Sequence, residues 1–240
     1  TFTSSNANYG NASSAPVTFT ITKALPAVVV TNSGGTFNGN PFPATVKATG
    51  IGGAAVSGSP TLTYDGGTSA NGSSSTTAPT NAGTYPVVAT FTSSNANYGN
   101  ASSAPVTFTI TKALPIVVVT NAGGTFNGNP FPATVKATGI GGAAVSGSTS
   151  FMYYVGTSVS GIGTTTAPTN AGTYTVVATF TSSNANYGNA SSAPVTFTIT
   201  KALPIVVVTN AGGTFNGNPF PATVKATGIG GGVGRGSPPP

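Results

Sequence analysis

Thr84-Tyr85-Pro86-Val87-Val88-Ala89-Thr90-Phe91 places Tyr85, Val87, Ala89 and Phe91 on one side and small or polar residues, with Val88, on the other. Successive side chains of a strand point to opposite faces, so this pattern predicts a strand packed on one face and wet on the other. Working outward, Val106, Phe108 and Ile110 alternate with Thr107, Thr109 and Thr111, and Ala44–Thr49 alternates with Lys47 on the outer side. Between these runs stand Asn38-Gly39, Gly50-Ile51-Gly52-Gly53, Asp65-Gly66-Gly67, Asn81-Ala82-Gly83 and Asn97-Tyr98-Gly99-Asn100, which favour turns. No window carries a helical apolar stripe with caps. Short strands at this spacing predict an all-β sandwich.

The same unit recurs. Thr1, Thr90 and Thr179 each open the string TFTSSNANYGNASSAPVTFTITKALP, a period of 89 residues. Residues 1–59 and 90–148 differ at two positions only, Ala27 against Ile116 and Ser33 against Ala122. That period is long enough for a domain and too long for one turn of a solenoid. Disorder does not fit the composition: 34 Gly and 19 Pro in 240 residues stay under the quarter or so typical of low-complexity chains. Charge is low, while Val, Thr, Phe and Tyr are plentiful, the reverse of a disordered chain.

Asn81-Ala82-Gly83-Thr84-Tyr85-Pro86-Val87 returns as Asn170-Ala171-Gly172-Thr173-Tyr174-Thr175-Val176. The order resembles the tyrosine corner of immunoglobulin domains, with Asn for Asp and Val for Cys. The resemblance implies that Tyr85 and Tyr174 pack their rings on the core and bond their hydroxyls back to the chain, with Asn81, Gly83, Asn170 and Gly172 shaping the turn. With no Cys and no Trp, the sheets must be held by Val, Ile, Phe and Tyr alone. PTNAGTYTVVATFTSSNANY, then VTFTITKA, then GGTFNGNPFPATV resemble the bacterial Ig-like repeats, MBG-type among them, that occur in tandem in large secreted and surface proteins. This implies tandem immunoglobulin-like β-sandwich domains, beads on a string without disulfides, outside the cell or on its surface. It carries over no functional residue, because such repeats share no catalytic motif.

Lys23-Ala24-Leu25-Pro26 recurs at Lys112–Pro115 and Lys201–Pro204. Proline restricts its own φ and its predecessor, so Leu25-Pro26, Leu114-Pro115 and Leu203-Pro204 read as interdomain joints. On that frame residues 24–112 and 113–201 are complete domains. Residues 1–23 are the C-terminal strands of a truncated repeat and 202–231 the N-terminal strands of another. Residues 232–240, with the only Arg and a Pro triplet, read as an aberrant Gly/Pro-rich tail.

Chemistry is sparse. Acid–base catalysis draws on His, Asp, Glu or Cys, and the chain holds no His, no Cys and one acid, Asp65. A Ser–Lys pairing is formally available, but Lys47 sits on an outer strand face and Lys23 at a joint, where solvated lysine is the plain reading. Zinc wants Cys or His and calcium several carboxylates, so no metal and no cofactor is expected. The pI near 9.7 reflects missing acids; two spaced lysines per repeat do not make a specific nucleic-acid reader. No apolar run is long enough for membrane insertion by a helix. The partners expected are neighbouring Ig-like repeats of the same chain, with cell-wall polymer or glycan as a further candidate. Asn11, Asn71, Asn100 and Asn189 fit the glycosylation acceptor pattern, which arises readily by chance in Asn/Ser-rich sequence.

The copies part company at PTLTYDGGTSANGSSS (60–75) against TSFMYYVGTSVSGIGT (149–164). With Tyr64 and Tyr153 inward, Thr63 and Asp65 would point outward in one repeat, and Met152 and Tyr154 in the other. The second repeat would then expose an apolar patch at Met152, Tyr154 and Val155. Two functions fit: a non-catalytic spacer or stalk, and an adhesive module using region 149–164. The alternative to recognition is drift in a tolerant strand and loop.

Overall fold

The computed structural model describes residues 1–67 and 74–231. The first repeat runs β1 (Ala27–Thr31), β2 (Gly35–Thr36), β3 (Thr45–Thr49), β4 (Gly58–Asp65), β5 (Ser74–Ser75), β6 (Gly83–Ser93), β7 (Ala101–Ser102) and β8 (Val106–Thr111). The second runs β9 (Ile116–Thr120), β10 (Gly124–Thr125), β11 (Thr134–Thr138), β12 (Gly147–Val155), β13 (Gly172–Ser182), β14 (Ala190–Ser191) and β15 (Val195–Thr200), followed by β16 (Ile205–Thr209) and β17 (Thr223–Thr227). Residues 232–240, expected to be an aberrant tail, and the acceptor motif at Asn71 lie outside the described residues.

Each of these two repeats is a sandwich. A two-stranded antiparallel sheet, β1–β3 or β9–β11, faces a larger sheet in the order β2-β8-β6-β4-β5 or β10-β15-β13-β12. The short β2 and β10 join their sheets parallel to β8 and β15. Gly34 and Gly123 permit this: they adopt φ +65 and +64, and a Cβ at either would run into the carbonyl of Thr109 or Thr198. Left-handed backbone at that approach leaves room for glycine alone.

The core follows the sequence periodicity. Val87 and Ala89 are fully buried and Phe91 and Phe108 nearly so. In the second repeat Val117 and Val119 from the small sheet pack against Tyr153, Val176, Ala178, Phe180, Phe197 and Ile199. Burying side chains of this kind stabilises by about 1.5–3 kcal/mol each, and with no disulfide these contacts carry the fold.

One stretch departs from alternation. Pro86 and Thr175 lie on the face expected to be wet, yet both are fully buried. Thr175 Oγ1 donates to the Gly156 carbonyl at 2.8 Å and bonds Thr196 Oγ1 at 3.1 Å. Proline lacks the N–H that a ladder needs. The β4–β6 ladder accordingly stops at Tyr64↔Val87, while β12–β13 continues to Val155↔Tyr174.

By compactness the chain divides into two units. One holds Thr1–Gly34, Pro41–Pro79 and Thr84–Thr109; the other holds Gly35–Asn40, Thr80–Gly83 and Ile110–Pro240. Within the first, residues 1–23 form a single bridge, Phe2↔Ala12. Val17, Phe19 and Ile21 there are 84–87% exposed, because they lack the flanking strands that hold β8 between β2 and β6. Within the second, β16–β17 keeps the register of β9–β11 but leaves Val206 and Val208 exposed.

Candidate functional site: the divergent strand and loop of the second repeat

The site rests on a frame of tyrosines. Tyr174 donates to the Asn170 carbonyl at 2.9 Å and stacks on Phe197 with ring centroids 5.7 Å apart. Gly172 lies against that ring, where a Cβ would come within 3.2 Å of the hydroxyl. Tyr85 stacks on Phe108 in the same manner, at 5.8 Å; Gly83 opens β6 behind it, and Asn81 belongs to the preceding turn.

Two further tyrosine pairs escaped sequence reasoning. The Tyr64 and Tyr153 hydroxyls accept from the buried N–H of Ala44 and Ala133, at 2.8 and 2.9 Å. Those of Tyr98 and Tyr187 accept from Ile51 and Ile140, at 2.9 and 2.8 Å. Tyr98 and Tyr187 lie in a stretch where every residue recurs, so recurrence cannot single them out; Tyr64 and Tyr153, expected inward, recur within the divergent stretch, and only the bond to Ala44 or Ala133 was not foreseen.

On this frame the divergent stretch builds two different covers. In the second repeat the loop after β12 folds back: Tyr153 and Thr164 exchange both backbone hydrogen bonds, at 2.8 and 2.9 Å. Gly163 is thereby pressed against the Met152 thioether and the Tyr154 ring, leaving no space for a Cβ. Met152 is 37% exposed and Tyr154 half-buried, while Val155 is 82% exposed and Ile162 wholly so. Val155 and Ile162 are thus the most exposed apolar side chains of the stretch, while Met152 and Tyr154, on the other face of β12, are partly covered by Gly163.

In the first repeat Asp65 follows the inward Tyr64 on β4, as expected, but it is not wet. Asp65 is 3% exposed, and its carboxylate accepts from the Ser74 hydroxyl at 2.6 Å. Asp65 and Ser74 stand one period before Tyr154 and Gly163. A polar pair in one copy therefore replaces a ring-on-glycine contact in the other. Burial of a carboxylate requires such a partner.

The joints differ residue by residue. Pro26 and Pro115 are buried, whereas Leu25 and Leu114 are more than 70% exposed and lean on Gly99 and Gly188. Leu203 and Pro204 are exposed.

Among the described residues no group of His, Cys, Asp or Glu is placed to hold a metal, and no helix is long and apolar enough to cross a membrane. Lys47 and Lys136 point outward from β3 and β11. An open cavity of about 420 Å³ lies between Thr31–Gly34 and Pro41–Pro43, lined without a charged residue.

Paired sheets, a tyrosine-anchored turn and a cysteine-free core define a tandem β-sandwich protein of immunoglobulin-like type. The family model described as MBG domain matches residues 27–114 and 116–203, and the chain belongs to that family. Each match starts at the first strand of its repeat, Ala27 or Ile116. MBG domains belong to extracellular or surface proteins. Among solved structures, the three N-terminal domains of the bacteriophage RB49 Highly Immunogenic Outer Capsid protein (Hoc) align at 17% identity over 85% of this chain and 70% of that one, with a TM-score of 0.26. A likeness at that level carries no argument. A search of curated proteins finds no match.

Proposed function

We propose that this chain is a non-catalytic spacer segment of a repetitive extracellular or cell-surface protein. One observation carries the reading: the buried polar groups common to both copies are spent on the fold. Tyr64 and Tyr153 hold Ala44 and Ala133, Ser103 and Ser192 each accept from a strand N–H at 3.0 Å, and Asn32 and Asn121 tie Phe42 and Phe131. Among the described residues no buried side-chain polar atom is left without a partner. What repeats is architecture, and near-identical units let copy number, hence reach, change by whole domains.

The second reading, adhesion to glycan or cell-wall polymer, draws support from the Val155–Ile162 surface, which the first repeat does not share. A display experiment separates the two. The chain is placed between a cell-surface anchor and a binding tip, and whole 89-residue units are added or removed. A spacer makes capture of a shielded ligand by the tip rise with copy number, indifferent to Val155→Gly and Ile162→Ser. Capture that ignores copy number and falls with those substitutions supports adhesion instead.

A further inference from the structure

In the second compact unit, the turn Asn184–Tyr187 is engaged by residues one repeat earlier in sequence. The Phe37 ring meets Tyr187 edge to face, centroids 5.5 Å apart at 78°. Asn186 uses both ends of its amide: Nδ2 donates to Asn81 Oδ1 at 3.0 Å, and Oδ1 accepts from the Ala82 N–H at 2.8 Å. Phe37, Asn81 and Ala82 all belong to that same unit. Tyr187 is 8% exposed as a result.

The first unit carries the same turn one period earlier, built to the same pattern and open. Ala24 N donates to the Asn97 carbonyl at 3.0 Å, as Ala113 does to Asn186 at 3.0 Å; Gly99 and Gly188 return the bond at 2.8 Å each. Tyr98 is anchored on Ile51 as Tyr187 is on Ile140. What differs is exposure: Tyr98 is half-buried where Tyr187 is buried, and Asn97 exposed where Asn186 is half-buried. Beside Tyr98 opens a cavity of about 350 Å³, walled by Thr22, Lys23, Ala24, Ile51 and Asn97.

We propose that this surface, centred on Tyr98 and Asn97, is a preformed docking socket for the loop end of another MBG repeat. The occupant presents a phenylalanine ring to Tyr98 and an Asn–Ala turn to the Asn97 amide. The ring supplies apolar area with a preferred edge-to-face geometry. The amide, reading one donor and one acceptor, sets register. Because the socket is already shaped, little ordering is lost when it fills. The proposal does not rest on the spacer reading, since an adhesin built from these repeats would dock in the same way.

The test places a 3-fluorotyrosine at position 98 or 187 singly and reads its ¹⁹F shift in the full chain. It is repeated in a chain extended by a copy of residues 1–89 ahead of Thr1, which restores the period of 89. The label at 187 should stand away from the solvent-exposed value and return toward it in Phe37→Ala and in the milder Asn186→Ala. The label at 98, half-buried in the 240-residue chain, should sit between the exposed value and the 187 value, and move to the 187 value on extension. It should keep its intermediate value when the added copy carries Phe37→Ala and Asn81→Ala. A label at 98 that ignores the extension overturns the proposal. So does a label at 187 that is insensitive to both Phe37→Ala and Asn186→Ala.

Discussion

Tyr153→Phe removes one oxygen and no packing area, which isolates a single buried hydrogen bond. Tyr153 is 3% exposed and Ala133, whose N–H it accepts at 2.9 Å, is 7% exposed. Removing the acceptor strands a backbone donor with no route to water, a cost of about 1–3 kcal/mol. Tyr174→Phe is the matched control: its hydroxyl bonds the Asn170 carbonyl at an exposed site, where water replaces it, and about 0.5 kcal/mol is expected. For a domain of this size 1 kcal/mol corresponds to roughly 4–8 °C in Tm. Tyr153→Phe should therefore lower the second repeat's transition by about 8–16 °C for a 2 kcal/mol loss, and Tyr174→Phe by a few degrees at most. The assay is thermal unfolding of the full chain, with amide hydrogen exchange at Ala133 as a local check. Equal effects of the two substitutions would refute the assignment of Tyr153 as the buried acceptor that holds Ala133.

Gly163→Ser should destabilise by about 1–3 kcal/mol through overpacking against Met152 and Tyr154. Adding Tyr154→Asp should recover part of that loss by rebuilding the Asp65–Ser74 pair, read as a non-additive double-mutant cycle in urea. Gly123→Ala should cost at least about 2 kcal/mol, since φ +64 is strained for alanine and the Thr198 carbonyl blocks its Cβ; a neutral result would mean that β10 does not approach β15 as described. Ile199→Ala, at 1% exposure, should cost about 2–5 kcal/mol. Ile205→Ala, at 70% exposure, should stay within about 0.5 kcal/mol in the same denaturation series.

Much of the sandwich was legible because alternation reports which face is buried: Val87, Ala89, Phe91, Phe108 and Ile110 all turn inward. The MBG resemblance rested on long quoted strings and was borne out by the family match, and the all-β class, read from alternation and turn spacing, by the strands themselves. The failure at Asp65 has a physical origin. Alternation assumes one wet face along the whole strand, but at the strand end other residues add to it: β5 pairs with the end of β4, Thr164 with Tyr153, and Gly156 accepts from Thr175. Asp65 and Thr175 are buried there with Ser74 and Gly156 as partners, and no local pattern announces such additions. The contact of Phe37 with Tyr187 joins residues 150 apart, a separation at which single-sequence reading is blind. The divergent stretch, by contrast, was visible as soon as the repeats were aligned; of the expected Met152, Tyr154 and Val155, Val155 is the most exposed, and Ile162 joins it as an exposed apolar side chain.

On the spacer reading the chain serves by its architecture and binds no glycan or wall polymer through its faces. Binding of the full chain to a glycan array and to purified bacterial walls, at low and physiological salt, tests it most directly. The account predicts no saturable binding at physiological salt, with any low-salt retention by outward lysines such as Lys47 and Lys136 abolished by screening. Saturable binding that survives physiological salt and is lost in Val155→Gly/Ile162→Ser or in Met152→Thr/Tyr154→Thr would contradict it and make region 149–164 a recognition surface.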